Sequence, residues 1–343
     1  MTERVLTTRA LNRALLARQL LLERSTIPIP AALEQVGSLQ TQYAPSGYVG
    51  LWARLAGFQR DALTGDLEAG RVIQATLLRV TIHLVSRREF WPYAMGVRQA
   101  RRAIVLRTPY LAATEPEMVE RAERLRGALA AGPRTVKELG DLGAGFVGHL
   151  GLWVDLVRVP PSGTWERRRA DRLALAEQWV GPSDTTEDEG LRHLVRAYLR
   201  AFGPAAWTDM ASWAGISPSD AKRAGSELEL VAFRDEAGRP LVDLAGEPLP
   251  DPGVPAPVRF LPHWDANLLV HARRAGILPE PFRPRVFSTK NPFSVGTYLV
   301  DGSVAGAWSI REGRVVLDPY QELGSRDRRA VDVEREALEA FVA

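Results

Sequence analysis

The 343-residue chain predicts an α+β fold, mainly helical, in which three winged helix-turn-helix units run in tandem and a small antiparallel sheet or barrel closes the chain. Three observations predict it. One plan recurs along the sequence: a long amphipathic helix, a break containing proline, shorter helices, then β-branched residues around a turn. Gly132-Pro133 and Gly203-Pro204 break the chain 71 residues apart, a winged-helix length. After residue 247 five prolines (Pro248, Pro250, Pro252, Pro255 and Pro257) crowd into ten residues, as in a linker, and the chain beyond them is rich in short β-branched runs.

The elements follow in order. The first unit, 1–112, has a helix over Thr8–Arg24, a break through Pro28 and Pro30, a helix over Ala31–Leu39, and strand-like residues from Val72 to Ser86. The second, 113–182, has a helix near Glu115–Ala131, short helices through Trp153, then Leu156–Arg158 and Gly163–Leu175 as paired strands. The third, 183–247, has helices over Glu187–Ala201, Thr208–Ser212 and Pro218–Ser226 and a hairpin of Glu229–Arg234 with Pro240–Leu244. Proline causes the breaks, because it lacks an amide donor and fixes its own φ; at a helix's first turn it is harmless. In the last unit, 248–343, Arg285–Ser288, Gly296–Val300, Val304–Ile310 and Arg314–Asp318 read as strands, with Asp301-Gly302 and Glu312-Gly313 as hairpin turns, and Arg328–Val342 as a closing helix.

Composition excludes several chemistries. With no cysteine there is no disulfide, thiolate nucleophile or cysteine-held metal cluster, and five scattered histidines without an HExxH pattern argue against a metalloenzyme. No phosphate-binding GxxxxGK[ST] and no GxSxG is present, so the expected site needs neither metal nor cofactor. No stretch is apolar enough to span a membrane, and the charged N-terminus has no small-residue cleavage site, which predicts a cytoplasmic protein. The net charge is only +3, but 41 of the 44 basic residues are arginine, whose planar fork suits phosphate; a GC-rich genome explains the same bias.

Two segments could carry chemistry. Leu33, Val36, Gly37 and Gln40 fall on one helical face, which sets a primary amide in an apolar stripe where an unmade hydrogen bond costs roughly 1 to 3 kcal/mol. Gln42 would point away from Gln40 on a helix and to the same side in an extended segment. Gln40 bracing a strand with Gln42 solvated is as open as a functional amide pair. In the second segment, Arg79 to Ser86, alternation puts Thr81, His83 and Val85 on one face, with His83 projecting away from the core. A histidine on such a hairpin could be a phosphate or base contact or an ordinary satisfied one; Arg79, Arg87, Arg88, Arg98, Arg101 and Arg102 around it read as the densest basic stretch, and Trp91 and Tyr93 within it read as packing. Asp265, in Leu261-Pro262-His263-Trp264-Asp265, is a further candidate that could equally order a turn.

Leu39-Gln40-Thr41-Gln42, the hairpin Arg79-Val80-Thr81-Ile82-His83-Leu84-Val85, Leu261-Pro262-His263-Trp264-Asp265 and Val300-Asp301-Gly302-Ser303-Val304-Ala305-Gly306-Ala307-Trp308 together resemble the AlkZ/YcaQ-like family of winged-helix DNA glycosylases. The resemblance implies a C-shaped clamp of three winged helices with a C-terminal β-barrel, acting as a monomer on double-stranded DNA with alkylated bases. It implies Gln40 and Gln42 as the catalytic Gln-x-Gln pair, a branch associated with bacteria that resist their own bulky DNA-alkylating products, and Arg79, Thr81, His83, Arg87 and Arg88 as DNA contacts. Val80 stands where such relatives commonly carry a small residue.

Amides suit that chemistry. A purine alkylated on a ring nitrogen is cationic and already a good leaving group, so a positioned water and a polar environment are enough without a strong general acid. The second reading is a non-enzymatic winged-helix DNA-binding protein or transcriptional regulator, in which Gln40 and Gln42 are structural; regulators usually dimerise on paired half-sites.

Overall fold

The computed structural model describes residues 3–107, 114–142, 152–269, 271, 276–287 and 294–343. The expected helices between 143 and 151, and Ser288 in the expected strand, lie outside these residues.

Strand β1 (Arg4–Leu6) leads into helix α1 (Thr8–Arg18), whose first turn is capped by the Thr7 hydroxyl accepting from the Ala10 amide. The helix expected to reach Arg24 stops short, with Leu20 at φ +55. Helix α2 (Ile29–Val36) carries Pro30 in its first turn and ends at Gly37, φ +74, a conformation open to glycine. A side chain there would also press on Ala201. Ending the helix at Val36 rather than Leu39 frees Leu39–Gln40 to form β2, so Gln40 belongs to a strand and not to the helical face its spacing suggested.

Helices α3 (Pro45–Arg54) and α4 (Arg60–Glu68) precede β3 (Val72–Thr76) and β4 (Ile82–Ser86). Next comes α5 (Phe90–Leu106), an element the sequence reading passed over. Its Phe90, Tyr93, Ala94, Val97, Arg101 and Val105 are buried at helical spacing. It crosses the Glu187–Phe202 helix at Gly96 and Gly190, so close that a Cβ on Gly96 would stand 2.5 Å from the Gly190 carbonyl. Two helices start on reciprocal capping boxes, Thr114 with Glu117 for α6 (Glu115–Leu129) and Thr186 with Glu189 for Glu187–Phe202.

Among the described residues three sheets organise the chain. With β5 (Arg134–Thr135), β6 (Leu156–Arg158) and β7 (Arg172–Leu175), the largest has the order β2-β4-β3-β6-β7-β5, so strands of the first and second stretches share one sheet and β2 lies on its edge. The expected strand from Gly163 shrinks to Arg172–Leu175. In the second sheet β1 runs parallel to β8 (Leu230–Asp235), which pairs antiparallel with β9 (Pro240–Leu244). Nearby, Arg18 is buried in a two-pronged ion pair with Asp243, at 2.7 and 2.8 Å. The C-terminal strands β10 (Arg259–Leu261), β11 (Gly296–Val300), β12 (Ser303–Arg311) and β13 (Arg314–Pro319) form an open antiparallel sheet in sequence order; among the described residues it does not close into a barrel. Arg283–Val286 is a helical turn instead of the expected strand, with Pro284 in its first turn, where the missing amide costs nothing. Ser325–Val342 forms the closing helix.

One large apolar core joins the first, third and C-terminal stretches, from Leu15 through Tyr198 and Trp213 to Leu338. A smaller one, with Met118, Leu125, Leu129 and Leu173, lies beneath the second. Among the described residues no helix is long and apolar enough to cross a membrane.

Candidate active site at the sheet edge

Gln40 is paired with His83 across β2 and β4, and the chain stays bonded to β4 one residue on, where the Thr41 amide donates to the Ile82 carbonyl at 2.7 Å. This extended path carries Gln40 and Gln42 to one side and Thr41 to the other. Thr41 is buried and its hydroxyl accepts from the Gln74 amide nitrogen, whereas Gln40 is half-buried and Gln42 exposed. Both amides rest on the β3–β4 hairpin: the Ile82 amide donates to Gln42 Oε1 at 3.1 Å, and Arg79 Nη2 donates to Gln40 Oε1 at 3.4 Å. A carbonyl oxygen has two acceptor positions, so each held amide keeps one for a further donor.

The hairpin turn is tight. Arg79 and Val80 both adopt positive φ, +51 and +61, and the Leu77 amide closes on the Thr81 carbonyl at 2.9 Å. For a β-branched residue that conformation is strained, which gives a physical reason for a small residue at this position. The turn is braced from inside. Thr81 Oγ1 donates to the Leu78 carbonyl, so it must accept from His83 Nε2–H at 2.9 Å; His83 Nδ1 is then the acceptor for the Ser38 hydroxyl at 3.1 Å. His83 is therefore an interior brace and not the projecting contact that strand alternation suggested, because the sheet edge is covered on that face too. Burial, with Arg79 and Arg101 close by, holds its imidazole well below the ordinary histidine range, hence neutral.

The sequence-selected arginines are mostly occupied. Arg79 is half-buried, its pKa lowered by desolvation to about 10, and it also donates to the Trp213 carbonyl. Arg87 donates to three carbonyls, of Gly70, Trp179 and Val180, and Arg88 is paired with Glu34 although its side chain is largely exposed. Asp265 is fully buried and committed on both oxygens: Arg54 Nη2 donates to Oδ2 at 2.9 Å, and the Asn267 backbone and side-chain nitrogens donate to Oδ1. It both orders a turn and neutralises a buried cation.

Two features escaped the sequence reading. Arg167, Arg168 and Arg169 project, exposed, from the turn before β7, and the run Trp165-Glu166-Arg167-Arg168-Arg169 was itself a denser basic signal than the stretch chosen. Beside Gln42 opens a cleft of about 510 Å3 walled by Tyr43, Trp165, His263 and Trp308, with Arg168 at its rim. Arg168 Nη1 donates to the Tyr43 hydroxyl at 3.0 Å and its guanidinium stands 5.7 Å from the Trp165 ring. A smaller cavity of about 250 Å3 near Asp209, Asp235 and Glu236 is acidic and unsuited to phosphate.

The family model for "DNA glycosylase AlkZ-like" proteins matches this chain over residues 33–341. No curated protein matches it. Among solved structures, the Streptomyces sahachiroi DNA glycosylase AlkZ superposes with a TM-score of 0.83 at 19% identity, covering 98% of this chain and 97% of that one.

Proposed function

Since the chain belongs to the AlkZ-like DNA glycosylase family, we propose that it excises cationic alkylated purines, bulky alkylguanine adducts among them, by water attack at the glycosidic carbon with Gln40 and Gln42 as the catalytic pair. The observation that carries this is the placing of two amides side by side on a sheet edge, each fixed by the hairpin through one acceptor position and free at the other. As the glycosidic bond breaks, its electron pair neutralises the purine cation and positive charge develops on the sugar. Water bound to the free acceptor position is aimed at that carbon, adds to it, and loses a proton to solvent. The products are the neutral alkylated base and an abasic site.

A glutamine carbonyl has too little proton affinity to act as a full general base, so the site favours lesions whose bond is already labile and spares normal bases. No lysine is among the residues gathered at the sheet edge, and without an amine nucleophile the enzyme is monofunctional, leaving the DNA backbone uncut. The same charge on a purine joined to the opposite strand brings interstrand crosslinks within reach. Units 1–112, 113–182 and 183–247, with 248–343, would hold one duplex as a monomer, with Arg88, Arg167 and Arg169 on the phosphates and the Arg79–Thr81 turn against the groove. The test is to incubate pure protein with duplexes carrying 7-methylguanine and a bulky 7-alkylguanine and to assay free base. Tight binding with no base released would favour the regulator reading.

A further inference from the structure

We propose that the cleft beside Gln42 is a specificity subsite that stacks a planar aromatic group carried by the alkylated base. The assignment rests on the glycosylase reading for its ligand and on the cleft for its chemistry. Tyr43 follows Gln42 directly, so the cleft begins about 4 Å along the backbone from the proposed catalytic amide. Tyr43 stands edge to face with His263, 6.0 Å away at 88°, and His263 is tilted at 53° to Trp308 at 6.1 Å. Arg168 caps the rim, 5.9 Å from the Tyr43 ring and 5.7 Å from Trp165. The remaining wall includes Val49, Ile310 and Val342, and the volume of about 510 Å3 falls in the range of drug-sized ligand sites and well above the needs of one purine.

One polar group points to a ligand. Ser46 lines the cleft, is only 3% exposed, and its Oγ has no hydrogen-bond partner. Such a buried hydroxyl is costly unless something meets it. His263 adds a polar edge to the wall: its Nδ1 donates to the Ser294 carbonyl at 2.7 Å, which leaves Nε2 as the ring's other polar atom. The preferred occupant is therefore a flat ring system with a hydrogen-bond acceptor for Ser46 or Arg168.

The experiment measures the affinity of the full-length protein, by anisotropy in the cold, for duplexes containing 7-(naphthylmethyl)guanine, 7-methylguanine or an unmodified mismatch, with base release followed in parallel. The wild type should prefer the naphthylmethyl duplex over the methyl duplex by about tenfold or more, the scale of one stacked ring. Ile310→Trp, which fills the cleft from a half-exposed position, and Arg168→Ala should each bring that ratio close to one, with melting temperatures as the folding control. A wild-type ratio near one, a ratio unmoved in both variants, or mismatch binding as tight as naphthylmethyl binding would overturn the subsite. A preserved preference with no base released from either lesion would instead refute the glycosylase reading and leave the stacking site standing.

Discussion

Replacing Gln42 with alanine separates a catalytic amide from a structural one. Gln42 is exposed, so the change opens no cavity, and in the fold it loses one hydrogen bond, from the Ile82 amide at 3.1 Å. That bond contributes about 0.5 to 1.5 kcal/mol, and in a chain of this size the melting temperature should fall by no more than a few degrees. If the amide holds the attacking water, the loss belongs to the transition state. Removal of one preorganised polar group from an active site costs about 100- to 1,000-fold in rate, or roughly 3 to 4 kcal/mol. Single-turnover release of 7-methylguanine, measured beside a thermal melt and a DNA-binding isotherm, should therefore show a rate lowered at least about 100-fold with affinity and folding nearly intact. A destabilised protein that is fully active per folded molecule would refute the reasoning, since Gln42 would then only brace the hairpin.

Three further outcomes are expected. Asp265→Ala leaves Arg54 buried without its counter-charge and should cost about 3 to 5 kcal/mol of stability while excision per folded molecule is retained; lost excision at unchanged stability would return Asp265 to the chemistry. His83 and His193 are held neutral by burial, His193 down to about 3, whereas in the unfolded chain both take up a proton near pH 6.5. The unfolded state thus binds more protons below that pH, so stability is full above pH 6.5 and falls by up to about 1.4 kcal/mol per pH unit for each histidine on acidification; His193→Gln should flatten the urea-midpoint profile between pH 6.5 and 5. Affinity for duplex DNA should fall with salt at about 0.9 logarithmic units per phosphate contact, and Arg167→Ala or Arg169→Ala should each reduce that slope by about one; an unchanged slope in both would remove this turn from the DNA interface.

Much of the fold could be read from local rules. Pro240–Leu244 and Gly296–Val300 sit where alternation and flanking turns put them, and Glu187–Phe202 starts on a capping box visible as Thr186 followed by Glu189. What failed was set by distant partners. In Phe90–Leu106 the arginines obscure an apolar spacing that makes sense only against the Gly190 face of another helix. The spacing alone keeps Gln40 on the stripe of α2, because nothing local shows that Gly37 turns left-handed and hands the chain to β4. The motif Gln-x-Gln was legible, but its setting was not: the hairpin bonds to both amides, the Ser38 hydroxyl that holds the inward His83, and the cleft beyond Tyr43 are all contacts between residues dozens of positions apart.

The parallel seam between β1 and β8 has a mechanical consequence. With Arg4–Leu6 stitched to Phe233–Asp235 and Arg18 locked to Asp243 in the interior, the beginning of the chain is riveted to its third stretch, while β3 and β6 weld the first stretch to the second. A frame fastened in both directions resists hinge motion between these stretches. When such a frame meets a helix whose gauge is wrong, the nucleic acid and not the protein must yield, and the elastic energy of bending falls on the DNA. Sequence steps that bend cheaply would then be accepted more readily than stiff ones.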